Sequence, residues 1–194
     1  MTKGKNITVI LNVYKRLDNL SKQIKAINNQ TIKPYQILIW QNQGNEELPK
    51  EFFTKAYICT NNFNYGVWAR FAFALNAKTE YICVFDDDTI PGRKWFENCL
   101  NTMENNEGLL GTRGLRFKSK KRYTPNTGIG WDHPNIKTEK VDIVGHSWFF
   151  KRDWLSYLTR DKLENNTYFS VGEDMYFSHV LHKYASISTY VPPH

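Results

Sequence analysis

Three consecutive carboxylates, Asp86, Asp87 and Asp88, stand directly after an apolar run that ends at Phe85. Adjacent carboxylates repel one another and are rarely buried without a partner. A divalent cation would offset this repulsion, and oxygen ligands at an open site suit Mn²⁺ or Mg²⁺, which also bind substrate phosphates. A helix cap is the alternative explanation, but one aspartate would be enough for a cap. We therefore favour a metal site at residues 86–88.

Two metal chemistries fit an acidic strand end. In the first, typical of phosphatases and phosphotransferases, Asp86 would be a nucleophile, but that motif normally closes the first strand of its domain. Here a strand and helix pattern precedes it. In the second, typical of nucleotide-sugar transferases, a D-x-D pattern holds a metal that bridges the diphosphate and stabilises it as a leaving group.

Apolar periodicity predicts alternating strands and helices in the first half of the chain. The predicted elements are strands at residues 7–13, 36–40, 56–59 and 81–85, and helices at residues 16–29 and 65–77. This alternation indicates an α/β fold with a parallel sheet and helices on both faces. Ligands of such sheets bind beyond the carboxyl ends of the strands, where the three aspartates lie.

The second half of the chain is less regular. It contains predicted strands at residues 109–114, 141–150 and 185–191, and a predicted helix at residues 172–184. Residues 118–138 are polar and rich in Gly, Pro and Asn, and they predict a long loop. Loops of this length inside compact domains are often functional.

The 194 residues suit one domain, and a hydrophobic content of 41% is enough for a sizeable core. The formal net charge is +7, and basic residues cluster at residues 116–122, with the sequence RFKSKKR. A solvated loop explains this cluster better than a nucleic-acid-binding surface, so no nucleic-acid partner is expected. A third explanation is that the basic charge attracts a polyanionic small molecule such as a nucleotide diphosphate.

No run reaches the roughly 18 apolar residues of a membrane span, and the N-terminus has no signal-peptide segment. The three cysteines are Cys59, Cys83 and Cys99, and two of them, Cys59 and Cys83, lie in apolar strand-like contexts. Buried thiols in a reducing compartment are the expectation for such cysteines. The sequence therefore predicts a cytoplasmic protein without a membrane span.

Five segments resemble, in order along the chain, motifs of glycosyltransferases of the GT-A fold. They are ITVILNVYKR at residues 7–16, ILIWQNQGN at 37–45, NYGVWAR at 64–70, VFDDDT at 84–89 and GEDMYFSHVL at 172–181. The first and the last resemble both family 2 glycosyltransferases and exostosin-type domains. The second is closest to the exostosin type and the third to family 2, and the fourth contains the D-x-D pattern.

This resemblance implies a Rossmann-like, mainly parallel central sheet flanked by helices, in a single domain of residues 1–194. Residues 1–92 would form the nucleotide-binding half and residues 93–194 the acceptor-binding half. The chain is short for the family, so it is expected to be a minimal bacterial or viral enzyme or one domain of a longer protein.

The implied activity is that of a glycosyltransferase of the hexosyltransferase type. With Mn²⁺ or Mg²⁺ it would move a sugar from a nucleotide diphosphate, expected to be UDP, to a hydroxyl of a glycan or glycoconjugate. Family 2 members invert the anomeric configuration and exostosin-type domains retain it, so the stereochemistry stays open. Two other functions also stay open: a phosphatase or phosphotransferase acting through Asp86, and a non-catalytic nucleotide- or glycan-binding module.

On the donor side, the resemblance implies a base pocket lined by residues after the first two strands, namely Asn12, Tyr14, Arg16 and Asn42. An aromatic ring can stack on a base and an asparagine can pair with its edge, although Tyr14 could instead be a packed surface aromatic. Family 2 members often carry an acid where Asn42 stands, whereas asparagine agrees with the exostosin type. Arg70 would contact the phosphates with its planar fork, or form a salt bridge instead.

Around the diphosphate, the resemblance implies that Asp86 and Asp87 contact ribose, sugar or metal-bound water. Asp88 would bind the metal directly, with Asp86 and His194 as further candidate ligands. His194 could equally be a frayed terminal residue.

On the acceptor side, Glu173 and Asp174 open the last predicted helix. Asp174 would take the proton of the acceptor hydroxyl in an inverting enzyme, or stabilise positive charge at the anomeric carbon in a retaining one, and Glu173 would orient the acceptor. A helix cap is the alternative role for these acids. His146 and Trp148 would either face the acceptor sugar or pack within a strand.

Overall fold

The computed structural model describes residues 6–14, 16–43, 47–161 and 171–194. The α-helices in these ranges are α1 (Leu17–Asn28), α2 (Ala69–Phe73), α3 (Trp95–Asn105) and α4 (Glu173–Ala185), and there are 3-10 segments at Lys50–Thr54, Ala74–Asn76 and Arg152–Thr159. The strands are β1 (Ile7–Val13), β2 (Gln36–Gln41), β3 (Tyr57–Thr60), β4 (Tyr81–Phe85), β5 (Gly108–Leu110), β6 (Arg113–Phe117), β7 (Asn126–Gly130), β8 (Glu139–Val141), β9 (Ile143–Gly145), β10 (Ser147–Lys151) and β11 (Ser188–Val191).

Eight of the described strands form a central sheet in the order β3-β2-β1-β4-β10-β5-β11-β8. The first four strands are parallel to one another, as the alternation of strands and helices predicts. β10 then inserts antiparallel between β4 and β5, β11 runs parallel to β5, and β8 pairs antiparallel with β11. The result is a large, mainly parallel sheet flanked by helices, which confirms the α/β fold class.

The core lies on both faces of β1 and β4, whose residues are nearly all buried. Burial on both faces is typical of parallel strands covered by helices, and it explains why these strands have continuous apolar sequences. The helices cover the strands with residues at helical spacing: Leu20, Ile24 and Ile27 of α1, and Phe96, Cys99, Leu100 and Met103 of α3.

An aromatic cluster joins α2, β10 and α4. The ring of Phe71 lies 5.5 Å from that of Trp148 and 5.6 Å from that of Phe177, measured between centroids. Phe150 contacts Phe177 edge to face at 4.9 Å. Such pairs add about 0.5–1.5 kcal/mol each beyond the burial of their area. The cluster therefore fixes the start of α4 relative to the central sheet.

A second, smaller sheet of three antiparallel strands has the order β7-β6-β9. It approaches the central sheet closely at Gly114, where an added Cβ atom would lie 2.7 Å from side-chain atoms of Val141 and Val191. Only glycine fits this contact without displacing its neighbours. The small sheet is thereby held beside β11 and the edge strand β8 of the central sheet.

The predicted helix at residues 65–77 is shorter in the structure, because α2 begins only at Ala69. The residues before it form turns, Gly66 has a positive φ of 66°, and the amide side chain of Asn42 binds the backbone at Tyr65. A left-handed residue cannot continue an α-helix, so the helix starts after this turn.

The predicted strand at residues 141–150 is three strands, β8, β9 and β10, with breaks at Asp142 and His146. Asp142 accepts a hydrogen bond from the Phe117 N–H, and His146 has a φ of 63°. The predicted strand at residues 109–114 is likewise divided into β5 and β6. The predicted loop at residues 118–138 contains β7, and α3 was not predicted.

Cys83 and Cys99 are buried and Cys59 is half-buried, and all three are free thiols. Burial raises the pKa of both buried thiols well above the usual value. Across the described ranges, no helix has the length and apolarity needed to cross a membrane.

Candidate active site

The aspartate turn at the carboxyl end of β4 is held from two sides. On the side of β10, the Asp86 N–H donates to the backbone carbonyl of His146, the residue just before that strand, at 3.0 Å. From α1, the buried side chain of Gln23 donates from Nε2 to the carbonyl oxygens of Asp86 at 2.7 Å and Thr89 at 2.9 Å. The sequence analysis did not single out Gln23, although a glutamine on the apolar face of a predicted helix is a signal for such a role.

Three side chains at this turn could bind one metal ion. One ligand atom from each of Asp86, Asp88 and His146 lies within 4.8 Å of the other two. The Nδ1 atom of His146 is buried and has no hydrogen-bond partner in the structure. Carboxylate oxygens suit Mg²⁺ and Mn²⁺, and an imidazole nitrogen is a common ligand of divalent transition-metal ions. The residues present therefore fit a divalent cation.

His146 is held in position by its backbone and by an aromatic neighbour. Its φ of 63° is uncommon for a residue with a side chain, and its ring packs against that of Trp131 with centroids 4.4 Å apart and the planes tilted by 33°. Residues in such sparsely populated conformations cluster at functional sites. The turn between β9 and β10 thus aims the imidazole at the aspartates.

Arg70, near the start of α2, connects the aspartate turn to α4. Its Nη1 donates to Oδ1 of Asp86, and its Nη2 donates to Oε1 of Glu173 at 2.7 Å. The guanidinium lies 4.6 Å from the centre of the Trp148 ring, and Arg70 is only 2% exposed. One buried cation therefore fixes two carboxylates that are far apart in the sequence.

Burial perturbs two acids of this site. Burial raises the pKa of Glu173 above the usual value, and the nearby Arg70 cation opposes that rise. Burial also raises the pKa of Asp87, where Arg16 opposes and Asp88 reinforces the rise. Perturbed carboxyl groups of this kind are typical of functional sites.

Arg16 forms ion pairs with the last two acids of the aspartate turn, Asp87 and Asp88. Its Nη1 lies 3.0 Å from Oδ1 of Asp87 and 2.5 Å from Oδ2 of Asp88, and its side chain is 54% exposed. The charge of Asp87, followed by the contact with Asp88, raises the pKa of the Arg16 guanidinium. In this structure the arginine contacts acids that were predicted to bind ribose and metal.

Asp86 and the acids that open α4 line one cavity of about 200 Å³. The other residues of its wall are Arg113, Leu115, Tyr123, Ile143, Gly145, His146 and Trp148. Asp174 accepts a hydrogen bond from the Met175 N–H at Oδ1, at 2.7 Å. Asp174 therefore has both a local contact at the start of the helix and a place in the cavity wall.

The remaining residues of the predicted base pocket lie at the ends of β1 and β2. Asn12 and Tyr14 are half-buried. Asn42 is 3% exposed, and its amide donates to Asn64 Oδ1 at 2.7 Å and accepts from the Tyr65 N–H at 2.8 Å. Asn42 thus positions the turn before α2, and its contact with a base stays a prediction.

His194 lies outside the group formed by Asp86, Asp88 and His146. It lines a larger groove of about 660 Å³ that also includes Asp88 and Trp131. Its Nδ1 lies 3.1 Å from the carbonyl oxygen of Pro192, and burial lowers its pKa. The metal contact of His194 stays a prediction.

The family model of glycosyl transferase family 2 matches residues 8–180, which is most of the chain. The chain belongs to glycosyl transferase family 2. The GT-A resemblance of the five sequence segments is thereby confirmed. A comparison with curated proteins found no significant match.

Solved structures of glycosyltransferases share the fold of this family 2 chain at low identity. TarS 1–349 of S. aureus in complex with UDP matches with a TM-score of 0.68 at 11% identity, over 97% of this chain and 58% of that one. The same protein in complex with UDP-GlcNAc matches with a TM-score of 0.65 at 11% identity, over 96% of this chain and 58% of that one. The mannosyltransferase PcManGT of Pyrobaculum calidifontis, in complex with GDP-Man and Mn²⁺, matches with a TM-score of 0.61 at 17% identity, over 97% of this chain and 55% of that one. The chain thus spans less than two thirds of each.

Proposed function

We propose that the protein is a metal-dependent glycosyltransferase that moves a sugar from a UDP-sugar to a hydroxyl of a glycan or glycoconjugate. The observation that carries this proposal is the group of Asp86, Asp88 and His146, because it adjoins the cavity of Asp174. Membership of family 2 supports the transferase chemistry. The complexes of TarS with UDP and UDP-GlcNAc, and of PcManGT with GDP-Man and Mn²⁺, support a nucleotide-sugar donor on this fold.

Asp88 and His146 would hold the metal together with Asp86. When bound, the ion would stabilise the negative charge of the leaving diphosphate. Of the two histidines, His146 is favoured over His194, because only His146 has a ligand atom within 4.8 Å of both carboxylates. In this proposal His194 belongs to the groove beside Asp88.

Arg70 would position the site rather than contact the phosphates. It is 2% exposed, and both of its arms bind carboxylates within the chain. The salt-bridge alternative is therefore the role that its contacts favour. Glu173 is 9% exposed and bound by Arg70, so it would orient the acceptor through the shape of the cavity wall.

Asp174 would be the group that acts on the acceptor. One of its oxygens is fixed by the Met175 N–H, which leaves the other to accept the proton of an acceptor hydroxyl in an inverting reaction. In a retaining reaction its charge would stabilise the positive charge that develops at the anomeric carbon. Residues 1–92 would bind the nucleotide, and the cavity walls from residues 93–194 would receive the acceptor.

The phosphatase alternative has less support. A phosphoaspartate enzyme needs a lysine beside its nucleophile, and the described residues that line the cavity at Asp86 include none. Asp86 is instead bound by the arginine of α2. Arginine and metal together suit a role in holding substrate charge.

The decisive experiment is a donor-hydrolysis and transfer assay with Mn²⁺ over a panel of nucleotide sugars. We expect turnover that is lost in chelator and in Asp88→Asn, while the unfolding midpoint of that variant stays near wild type. Calorimetry should show UDP binding more tightly with Mn²⁺ than without it. Full activity in chelator would contradict the metal role, and tighter binding of GDP than of UDP would contradict the assigned base.

A further inference from the structure

Four basic residues in the connection between β6 and β7 are exposed: Lys118, Lys120, Lys121 and Arg122. Within the described part of the chain, none of the four has an acidic partner. By contrast, Arg113 of the same hairpin pairs with Asp132, and Arg116 pairs with Glu139 at 2.6 Å. We call these four residues the basic loop.

The basic loop is attached to the wall of the active-site cavity through Tyr123, the next residue. Tyr123 lines the cavity together with Asp86 and Asp174. Its ring lies 5.5 Å from that of Phe117, and its carbonyl accepts a hydrogen bond from Asn126 Nδ2 at 3.0 Å. The antiparallel pairing of β6 with β7 brackets the loop, so its four cations lie within five residues of Tyr123 in the same hairpin connection.

We infer that the basic loop binds the acceptor, and that the acceptor is an acidic glycan, a polymer whose sugars carry carboxylate or phosphate groups. This inference rests on the proposed glycosyltransferase function. A chain of repeated negative charges would place one sugar in the cavity and neighbouring charged groups on the loop. Long-range attraction by such a patch also raises the rate of encounter with a polyanion.

The donor diphosphate is a poorer match for the basic loop. Its charges are concentrated near the metal ligands Asp88 and His146, whereas the loop carries four cations over five consecutive residues. Four cations exceed what one compact diphosphate needs, whereas a repeated anion can pair with all of them. The loop also connects two strands of the small sheet, which contributes Leu115 and Ile143 to the same cavity wall as the start of α4.

The test compares two triple variants that lower the net charge equally. The loop variant, Lys120→Gln/Lys121→Gln/Arg122→Gln, removes three of the four positive charges of the basic loop. The control variant, Lys25→Gln/Lys50→Gln/Lys55→Gln, neutralises three exposed lysines elsewhere. All six positions are exposed, so both proteins should fold, and circular dichroism checks that they do. The probes are polygalacturonate and phosphomannan as acidic glycans, neutral mannan, and single-stranded DNA. Binding is measured by calorimetry between 50 and 200 mM NaCl.

We expect the wild type to bind an acidic glycan, the loop variant to bind it at least tenfold more weakly, and the control variant to match wild type. Loss of three contacts between cations and the glycan should also reduce the steepness with which the logarithm of the association constant falls with the logarithm of the salt concentration, by about two, by analogy with single-stranded polyanions. UDP affinity with Mn²⁺ should be the same in all three proteins. Neutral mannan should bind more weakly than the acidic glycans.

Three results would overturn the inference. They are equal binding of neutral and acidic glycans, tighter binding of DNA than of either glycan, and a loop variant that loses UDP rather than glycan affinity. Failure of the glycosyltransferase proposal is a separate outcome, since it shows as absent sugar transfer by the wild type over the whole panel of nucleotide sugars. Acidic-glycan binding that depends on the loop would then still stand as the property of a binding module.

Discussion

Replacing Arg70 by methionine should lower the free energy of unfolding by about 3–5 kcal/mol at pH 8, the usual cost of removing one partner from a buried ion pair. Methionine keeps most of the volume and the contact with Trp148 but removes the charge. The side chain of Glu173 is 11% exposed and that of Asp86 is 28% exposed, so most of the cost comes from Glu173. Because one cation serves both acids, the two losses do not simply add.

The loss of unfolding free energy in Arg70→Met should depend on pH. Burial already raises the pKa of Glu173, and removing the opposing Arg70 raises it further. An acid whose folded pKa exceeds its unfolded value of about 4.3 loses stability as pH rises through that interval, because the unfolded chain ionises first. The deficit of Arg70→Met against wild type should therefore be smaller at pH 5 than at pH 8.

Urea unfolding followed by tryptophan fluorescence measures both effects. Arg16→Met is the matched control, because Arg16 also pairs with two aspartates but is largely exposed, and its unfolding midpoint should stay close to wild type. Arg70→Met/Glu173→Gln should be more stable than Arg70→Met, since the uncompensated charge is gone. A deficit below about 1 kcal/mol, no difference between pH 5 and pH 8, or no rescue by Glu173→Gln would refute this account of the buried pair.

Three further predictions concern chemistry at single residues. Asp174→Asn should keep the affinity for UDP and Mn²⁺ but slow sugar transfer by about 10²- to 10⁴-fold, and transfer within a few-fold of wild type would reduce Asp174 to a helix cap. His146→Asn should weaken Mn²⁺ binding, measured by electron paramagnetic resonance, by about tenfold or more, and asparagine tolerates the positive φ at this position. His194→Gln should leave Mn²⁺ binding unchanged. If only His194→Gln weakened it, His194 and not His146 would be the metal ligand. A thiol reagent should modify Cys59 quickly and the two buried cysteines only after unfolding; rapid reaction of all three would contradict their burial.

The sequence predicted the first half of the fold better than the second. The predicted limits of β1 and β4 are those of the structure, because both strands are buried on two faces and have uninterrupted apolar sequences. The break at His146 was missed, because a positive φ in a run of apolar residues leaves no mark on periodicity. The spacing of Phe96, Cys99, Leu100 and Met103 would have predicted α3, so there the signal was present.

The candidate site divides in the same way. Asp86 and Asp88 could be found from the chain alone, because three acids after a buried strand need a partner. His146 could not be paired with them, since the antiparallel insertion of β10 beside β4 is a tertiary contact between segments about sixty residues apart. For Arg70, the chain alone left a phosphate contact and a salt bridge open, and its burial between Asp86 and Glu173 favours the salt bridge.

The bridge from Arg70 to Glu173 also bears on how the protein folds. Its two ends are 103 residues apart in the sequence, and β10 must enter the sheet between β4 and β5 before the cavity has walls. Contacts of such long range close late, because the entropy of the intervening chain must be lost first. During synthesis, the early strands can therefore assemble while Arg70 still has only one of its acids, and the site is completed only when α4 has left the ribosome.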